Sequence, residues 1–84
     1  MLELYQAEEC NYSRKVRDKL TALGVSYIVH NPRSARGEVR NEQTQDQLLA
    51  LGGEDQIPFL VDQQRNVTIY ESDDIVAYLD EHYG

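Results

Sequence analysis

One cysteine in 84 residues, Cys10, means that no disulfide can form within the chain. A secretory leader is not visible either: the opening stretch MLELYQAEE carries acids where a basic segment and an apolar run would be needed. Together these features point to a reducing cytoplasm. No apolar run approaches the ~20 residues of a membrane span. Positive charge is scarce, with 8 Lys and Arg against 15 Asp and Glu, and the formal net charge is -7. Nucleic acid and anionic membrane are therefore not expected partners, because phosphates are normally met by a basic face. The acidity serves solubility or reflects a salt-rich cytoplasm, and it identifies no substrate. Repeats and low-complexity tracts are absent. The length leaves room for one domain, residues 1–84, with a modest core and little stability to spare.

Hydrophobic periodicity supplies the element order. LELY, Leu2 to Tyr5, is a short apolar alternation that predicts a strand. From Asn11 the apolar positions Tyr12, Val16, Leu20 and Leu23 recur at helical spacing until Gly24, a candidate C-cap. VSYIV, Val25 to Val29, is β-branched and aromatic and predicts a second strand. The stretch from His30 to Glu42 has no period and reads as a long loop carrying Arg33, Arg36 and Arg40. QTQDQLLALGG predicts a short helix ended by Gly52 and Gly53. Ile57 to Asp62 and Val67 to Tyr70 flank the polar turn QQRN and predict an antiparallel hairpin. Ile75, Val76, Leu79 and Tyr83 then share one face of a final helix, with Ser72 as its expected N-cap and Asp73 and Asp74 at its positive end.

The resulting order is β-α-β-α-β-β-α. Its first two strands must be parallel with a right-handed crossover, and the hairpin completes one four-stranded mixed sheet covered by helices. This is a thioredoxin-like α/β arrangement. Tyr5, Tyr27 and Tyr78 fall on its apolar stripes and read as core or sheet residues. His30 and His82 have no neighbour at ligand-like spacing, so no metal site is expected.

Cys10 lies where the first strand meets the first helix, at the edge where helix N-termini offer unpaired N–H groups to an anion. A thiolate is stabilised there, and Arg14 and Lys15 one turn on push the same way. Glu8 and Glu9 push the other way, but through screened solvent, so the balance favours the thiolate. The bland alternative is a buried, inert cysteine. Pro58 has no N–H for a ladder and should sit at a strand's start. A cis bond after Ile57 would turn the Ile57 backbone outward, towards an extended peptide-like ligand; an ordinary trans proline at an edge strand is the alternative.

Three segments in the right order resemble one family. CNYSRKVRDKL resembles the active-site junction of glutaredoxins and of the N-terminal domain of glutathione transferases. IP resembles their cis-proline motif, and YESDDIVAYLDEHYG resembles the Glu-Ser segment and final helix of the transferase domain. The resemblance covers nearly the whole chain. It implies that Cys10 meets the thiol of a glutathione-type ligand and that Ile57, before a cis Pro58, pairs with its cysteinyl backbone. Glu71 with Ser72 would hold the γ-glutamyl end. The first N–H groups of the final helix, at Ser72 and Asp73, would receive the α-carboxylate, and the carboxylate of Glu71 or Asp73 the α-amino group.

The departures shape the expected mechanism. Dithiol glutaredoxins carry Cys-Pro-Tyr-Cys, whereas Asn11 and Ser13 replace the proline and second cysteine here, so no resolving thiol exists. The cluster-carrying monothiol branch shows Cys-Gly-Phe-Ser, of which CNYS shares only the ends. The basic residue usual before the cysteine is replaced by Ala7, Glu8 and Glu9, leaving Arg33, Arg36 or Arg40 to meet a glycyl carboxylate. The helical second domain of the transferases has no counterpart in 84 residues. The expectation is thus a monothiol thiol–disulfide oxidoreductase, a monomer with Cys10, Tyr12 and Ser13 as its catalytic set and Ile57, Pro58, Glu71, Ser72 and Asp73 as its thiol-ligand set. No tightly bound cofactor is expected; the co-substrate is glutathione or a related γ-glutamyl thiol, and the other partners are disulfides or glutathionylated proteins. The competing expectations are a binding or redox-sensing module without turnover, and a homodimer bridged by an iron–sulfur cluster.

Overall fold

A computed structural model describes residues 1–84. Seven elements follow in order: β1 (Leu2–Tyr5), α1 (Asn11–Leu23), β2 (Tyr27–His30), α2 (Glu42–Gly52), β3 (Phe59–Asp62), β4 (Val67–Tyr70) and α3 (Ser72–Tyr83). The strands form one sheet in the order β2-β1-β3-β4, with β1 and β2 parallel and the other two pairs antiparallel. This is the thioredoxin-like α/β arrangement that the periodicity predicts. No helix is long and apolar enough to cross a membrane.

Alternation along β1 divides the core in two. Leu2 and Leu4 point to the face covered by α1 and α3, where they pack with Val16, Leu20, Leu60, Ile75 and Leu79. Tyr5 points to the other face and joins Phe59, Val61 and Leu48 of α2. Each fully buried aliphatic or aromatic side chain of this kind stabilises the fold by about 2 kcal/mol.

Several element boundaries differ from the sequence reading. β2 begins at Tyr27 instead of Val25 because the C-terminus of α1 uses the next N–H groups: Gly24, at φ 69, donates to Thr21, and Val25 donates to the Leu20 carbonyl. β3 begins at Phe59 instead of Ile57, since Pro58 has no N–H to give. The N-cap of α3 is Glu71, and Ser72 is its first helical residue. His30, read as the start of a loop, closes β2: its carbonyl accepts from Gln6, its ring stacks on Tyr5 at 4.4 Å, and its Nε2 lies 2.8 Å from a Glu3 carboxylate oxygen.

A buried carboxylate ties the hairpin to the last helix. Asp62 is fully buried, and its oxygens accept from Tyr78 Oη at 2.7 Å, Tyr83 Oη at 2.8 Å and the Gln64 N–H at 3.1 Å. The Arg65 guanidinium lies 3.4 Å away. Burial alone would raise the Asp62 carboxyl, but the hydrogen bonds from Tyr78, Tyr83 and Arg65 outweigh it and hold the group below the usual carboxylate range. Tyr78, partly buried and bonded to that carboxylate, is pushed up to about 12. With the Asp62 value depressed, its contribution is fully present above the unfolded carboxylate range and is lost as the pH falls through the folded value. Tyr78→Phe should therefore cost about 2 kcal/mol at neutral pH, the size of one hydrogen bond to a charged group. Urea unfolding at pH 7 and near pH 3 checks this, and the gap between variant and wild type should narrow in acid.

Candidate active site

The site is built where two helices begin. Cys10 is the N-cap of α1, with extended backbone at φ -86 and ψ 122, and no side chain caps that helix. Glu71 is the N-cap of α3 at φ 73 and ψ 118, and no side chain caps that helix either. A non-glycine residue in such a conformation costs on the order of 1–3 kcal/mol, and it is held here because Glu71 must both leave β4 and open α3. Helix α2 differs. Its Asn41 side chain accepts from the Thr44 N–H at 3.0 Å. The two helix ends nearest the predicted site residues are thus the two left with free N–H groups.

Between them lies a groove of about 320 Å³ lined by Tyr12, Gln56, Ile57, Pro58, Glu71, Ser72 and Asp73. The Ile57–Pro58 bond is cis, as the motif implies. Ile57 lies outside any strand, and its N–H and C=O find no partner within the chain. Two backbone groups are left for an extended ligand. The segment before them is clamped from α2 and β4: the Tyr70 hydroxyl donates to the Glu54 carbonyl at 2.7 Å and accepts from the Glu54 N–H at 3.0 Å. Only glycine fits at position 52, where a Cβ would stand 2.0 Å from that hydroxyl.

The structure brings Tyr12, Ile57, Pro58, Glu71, Ser72 and Asp73 together in the groove wall, and it leaves Cys10 and Ser13 outside that wall. Cys10 is half-buried two residues before Tyr12, which is itself 68% exposed. Ser13 is fully buried, and its Oγ accepts from the Ala7 N–H at 3.2 Å, which pins the β1–α1 turn beneath the thiol. Gln56 also lines the groove, and its amide donates to a Glu71 carboxylate oxygen at 2.8 Å. Sequence reasoning missed Gln56, for which the only signal was its place one residue before Ile57-Pro58.

Most of the charges near the thiol are engaged with other groups, although Arg14 forms no ion pair. Arg17 bonds the side chain of Gln6 and the carbonyls of Ala7 and Glu8, and lies 3.7 Å from the Glu8 carboxylate. Glu9 accepts from the Ala35 N–H at 2.8 Å, and that bond lowers its carboxyl below the ordinary value. Arg33 is held by Asp55 at 2.8 Å, so the first of the three loop arginines is not free to meet a ligand. Asp55, bonded first by Gln45 and then by Arg33, lies below its ordinary value. Arg40 lines a second hollow of about 310 Å³ beside Glu8, Glu9 and Arg33, on the Glu8–Glu9 side of the thiol. On the groove side, Lys15 forms an ion pair with Asp73.

A family model for the glutathione S-transferase N-terminal domain matches residues 4–84. Among solved structures, glutathione S-transferase isozyme E7 from Drosophila melanogaster is 30% identical with a TM-score of 0.79, over 100% of this chain and 35% of its own. An unclassified glutathione S-transferase 2 from Bombyx mori is 28% identical with a TM-score of 0.80, over 99% of this chain and 36% of its own. A diazinon-metabolizing glutathione S-transferase from the same silkworm is 26% identical with a TM-score of 0.77, over 99% of this chain and 38% of its own. The chain thus spans little more than a third of the solved transferases it matches. None of the curated proteins matches it in sequence.

Cys10 at the N-cap and Ser13 as the third helical residue have the spacing of the partners of a capping box. Ser13→Cys should therefore close a disulfide with Cys10 under mild oxidation, and alkylation followed by intact mass should find no free thiol. Two free thiols would show that these side chains diverge.

Proposed function

The chain belongs to the family of glutathione S-transferase N-terminal domains, and from that premise we propose that it carries out thiol–disulfide exchange through Cys10 with glutathione or a related γ-glutamyl thiol. The observation that carries this reading is the pair of uncapped helix ends, one at the thiol and one at the groove, beside the unpaired backbone of Ile57. An anionic sulfur suits the first, a carboxylate the second, and a peptide backbone the third. A γ-glutamyl-cysteinyl compound has all three groups.

In this reading the Cys10 thiolate attacks one sulfur of a mixed disulfide between the small thiol and a protein. A bond forms between Cys10 and the small thiol's sulfur as the original S–S bond breaks, and the protein sulfur leaves as a thiolate that takes a proton from solvent. Cys10 is the only thiol in the chain, so a second small-thiol molecule must complete the cycle. Its thiolate attacks the small-thiol sulfur of the adduct, frees Cys10 and leaves as the symmetrical small disulfide. Tyr12 walls the groove beside the reacting sulfurs, and Ser13 holds the turn beneath them. The α-carboxylate meets the first N–H groups of α3 at Ser72 and Asp73, and Glu71 or Asp73 meets the α-ammonium group. The protein acts as a monomer on disulfides and glutathionylated proteins.

Incubation with oxidised glutathione, and separately with oxidised γ-glutamylcysteine, should give one adduct per chain by intact mass and none in Cys10→Ser. No adduct from either compound would sink the reading. Glu71→Gln should slow adduct formation about tenfold, the effect of roughly 1.4 kcal/mol, with little change in melting temperature.

A further inference from the structure

We infer that Arg17 is a positioning residue for the thiol: its guanidinium holds the Ala7–Cys10 turn from beneath and so keeps the Cys10 sulfur in line with the first N–H groups of α1. The inference rests on the thiol-exchange reading given above and goes further by naming what sets the sulfur in place.

Arg17 stands about two turns along α1 from Cys10, on the same face and about 10 Å away by helix rise. Helical side chains lean towards the N-terminus, and an arginine is long enough to return to the turn that precedes its own helix. There Nη1 donates to the Ala7 carbonyl at 3.3 Å and to the Gln6 side-chain oxygen, and Nη2 donates to the Glu8 carbonyl at 3.2 Å. The side chain is only 16% exposed, so these bonds meet little competition from water.

Ala7 is thereby held at both of its backbone groups. Its N–H donates to Ser13 Oγ, and its carbonyl accepts from the Cys10 N–H at 3.2 Å as well as from Arg17. Gln6 carries the same hold across the sheet: fully buried, with its oxygen on Arg17, it donates from its amide to Asn31 Oδ1 at 2.6 Å, just after β2. Cys10 makes no capping bond with its own side chain, so the backbone of this turn sets where the sulfur stands.

Arg17 also lies 3.7 Å from the Glu8 carboxylate, which is 77% exposed. An ion pair so open to solvent contributes little. The guanidinium therefore acts through the two carbonyls, as a planar fork that a lysine does not reproduce, and not by cancelling the charge of Glu8.

The test reads the thiolate share: the rate of Cys10 alkylation by iodoacetamide at pH 7, divided by its plateau rate in alkali. Arg17→Lys keeps the charge and loses the fork, and Arg17→Gln loses both. Each should lower the ratio about fivefold in protein with wild-type circular dichroism, because a sulfur out of line with the helix N–H groups holds its charge less well. A loss of stability alone leaves the ratio of a fully folded sample unchanged. If the glutamine variant does not fold, the lysine variant decides. A wild-type ratio in Arg17→Lys overturns the inference. Recovery of the wild-type ratio on adding Glu8→Gln to Arg17→Gln also overturns it, since the role would then be one of charge. Intact mass after incubation with oxidised glutathione keeps the two readings apart: a wild type that forms no adduct overturns thiol exchange, whereas the alkylation ratio alone decides on Arg17.

Discussion

The Asp62 carboxylate is the contact on which the geometry of the groove depends. It stands at the end of β3, receives the hydroxyls of Tyr78 and Tyr83 from α3, and closes the β3–β4 turn through Gln64. A buried carboxylate without partners would cost several kcal/mol. Satisfied by donors from both the hairpin and the helix, it locks one to the other. The last turn of α3 is thereby fixed against β3. Because a helix is a rigid rod, its first turn, with Ser72 and Asp73, is fixed beside Pro58 at the opposite end of the same strand.

From that frame the site follows by accounting for backbone donors. Each helix begins with N–H groups that have no partner in the helix. Helix α2 meets the need with Asn41. Helix α1 does not, because its N-cap is Cys10, whose side chain makes no capping bond. Helix α3 does not, because the positive φ of Glu71 carries its carboxylate away to Gln56. The Glu71 side chain, which might have closed α3, instead accepts from Gln56. The N–H groups remain for a ligand.

Much of this could be read in the sequence. The order of elements came from periodicity, β1 and β4 had the observed bounds, and six of the groove-lining residues came from a family resemblance spread over three short motifs. The unread part concerns what side chains choose among competing partners. Ser72 has the chemistry of an N-cap, but the fold places it one residue too late. Val25 is β-branched, yet its N–H closes the end of α1. Gly52 looked like a helix terminator, whereas the fold needs it to admit the Tyr70 hydroxyl. The first two are settled at helix ends by the competition of adjacent backbone groups. The third depends on Tyr70, far along the chain, and single-sequence propensities do not carry that information.

The acids around Cys10 show the same effect in electrostatics. Read as a sequence, Glu8 and Glu9 are two charges beside a thiol, to be weighed as solvated carboxylates. In the fold each has a task that fixes it in place. Glu9 reaches across to the Ala35 N–H and anchors the long loop after β2, and Glu8 belongs to a cluster organised by Arg17. Lys15 likewise turns to Asp73. Glu8, Glu9 and Lys15 are thus spent on holding the turn, the loop and α3 in register, and the groups that line the groove are mostly uncharged: helix N–H donors, the Ile57 backbone and the Tyr12 ring. The exception is Glu71, and a single unneutralised carboxylate at one end of a groove of dipoles favours a ligand with a cation at the matching end.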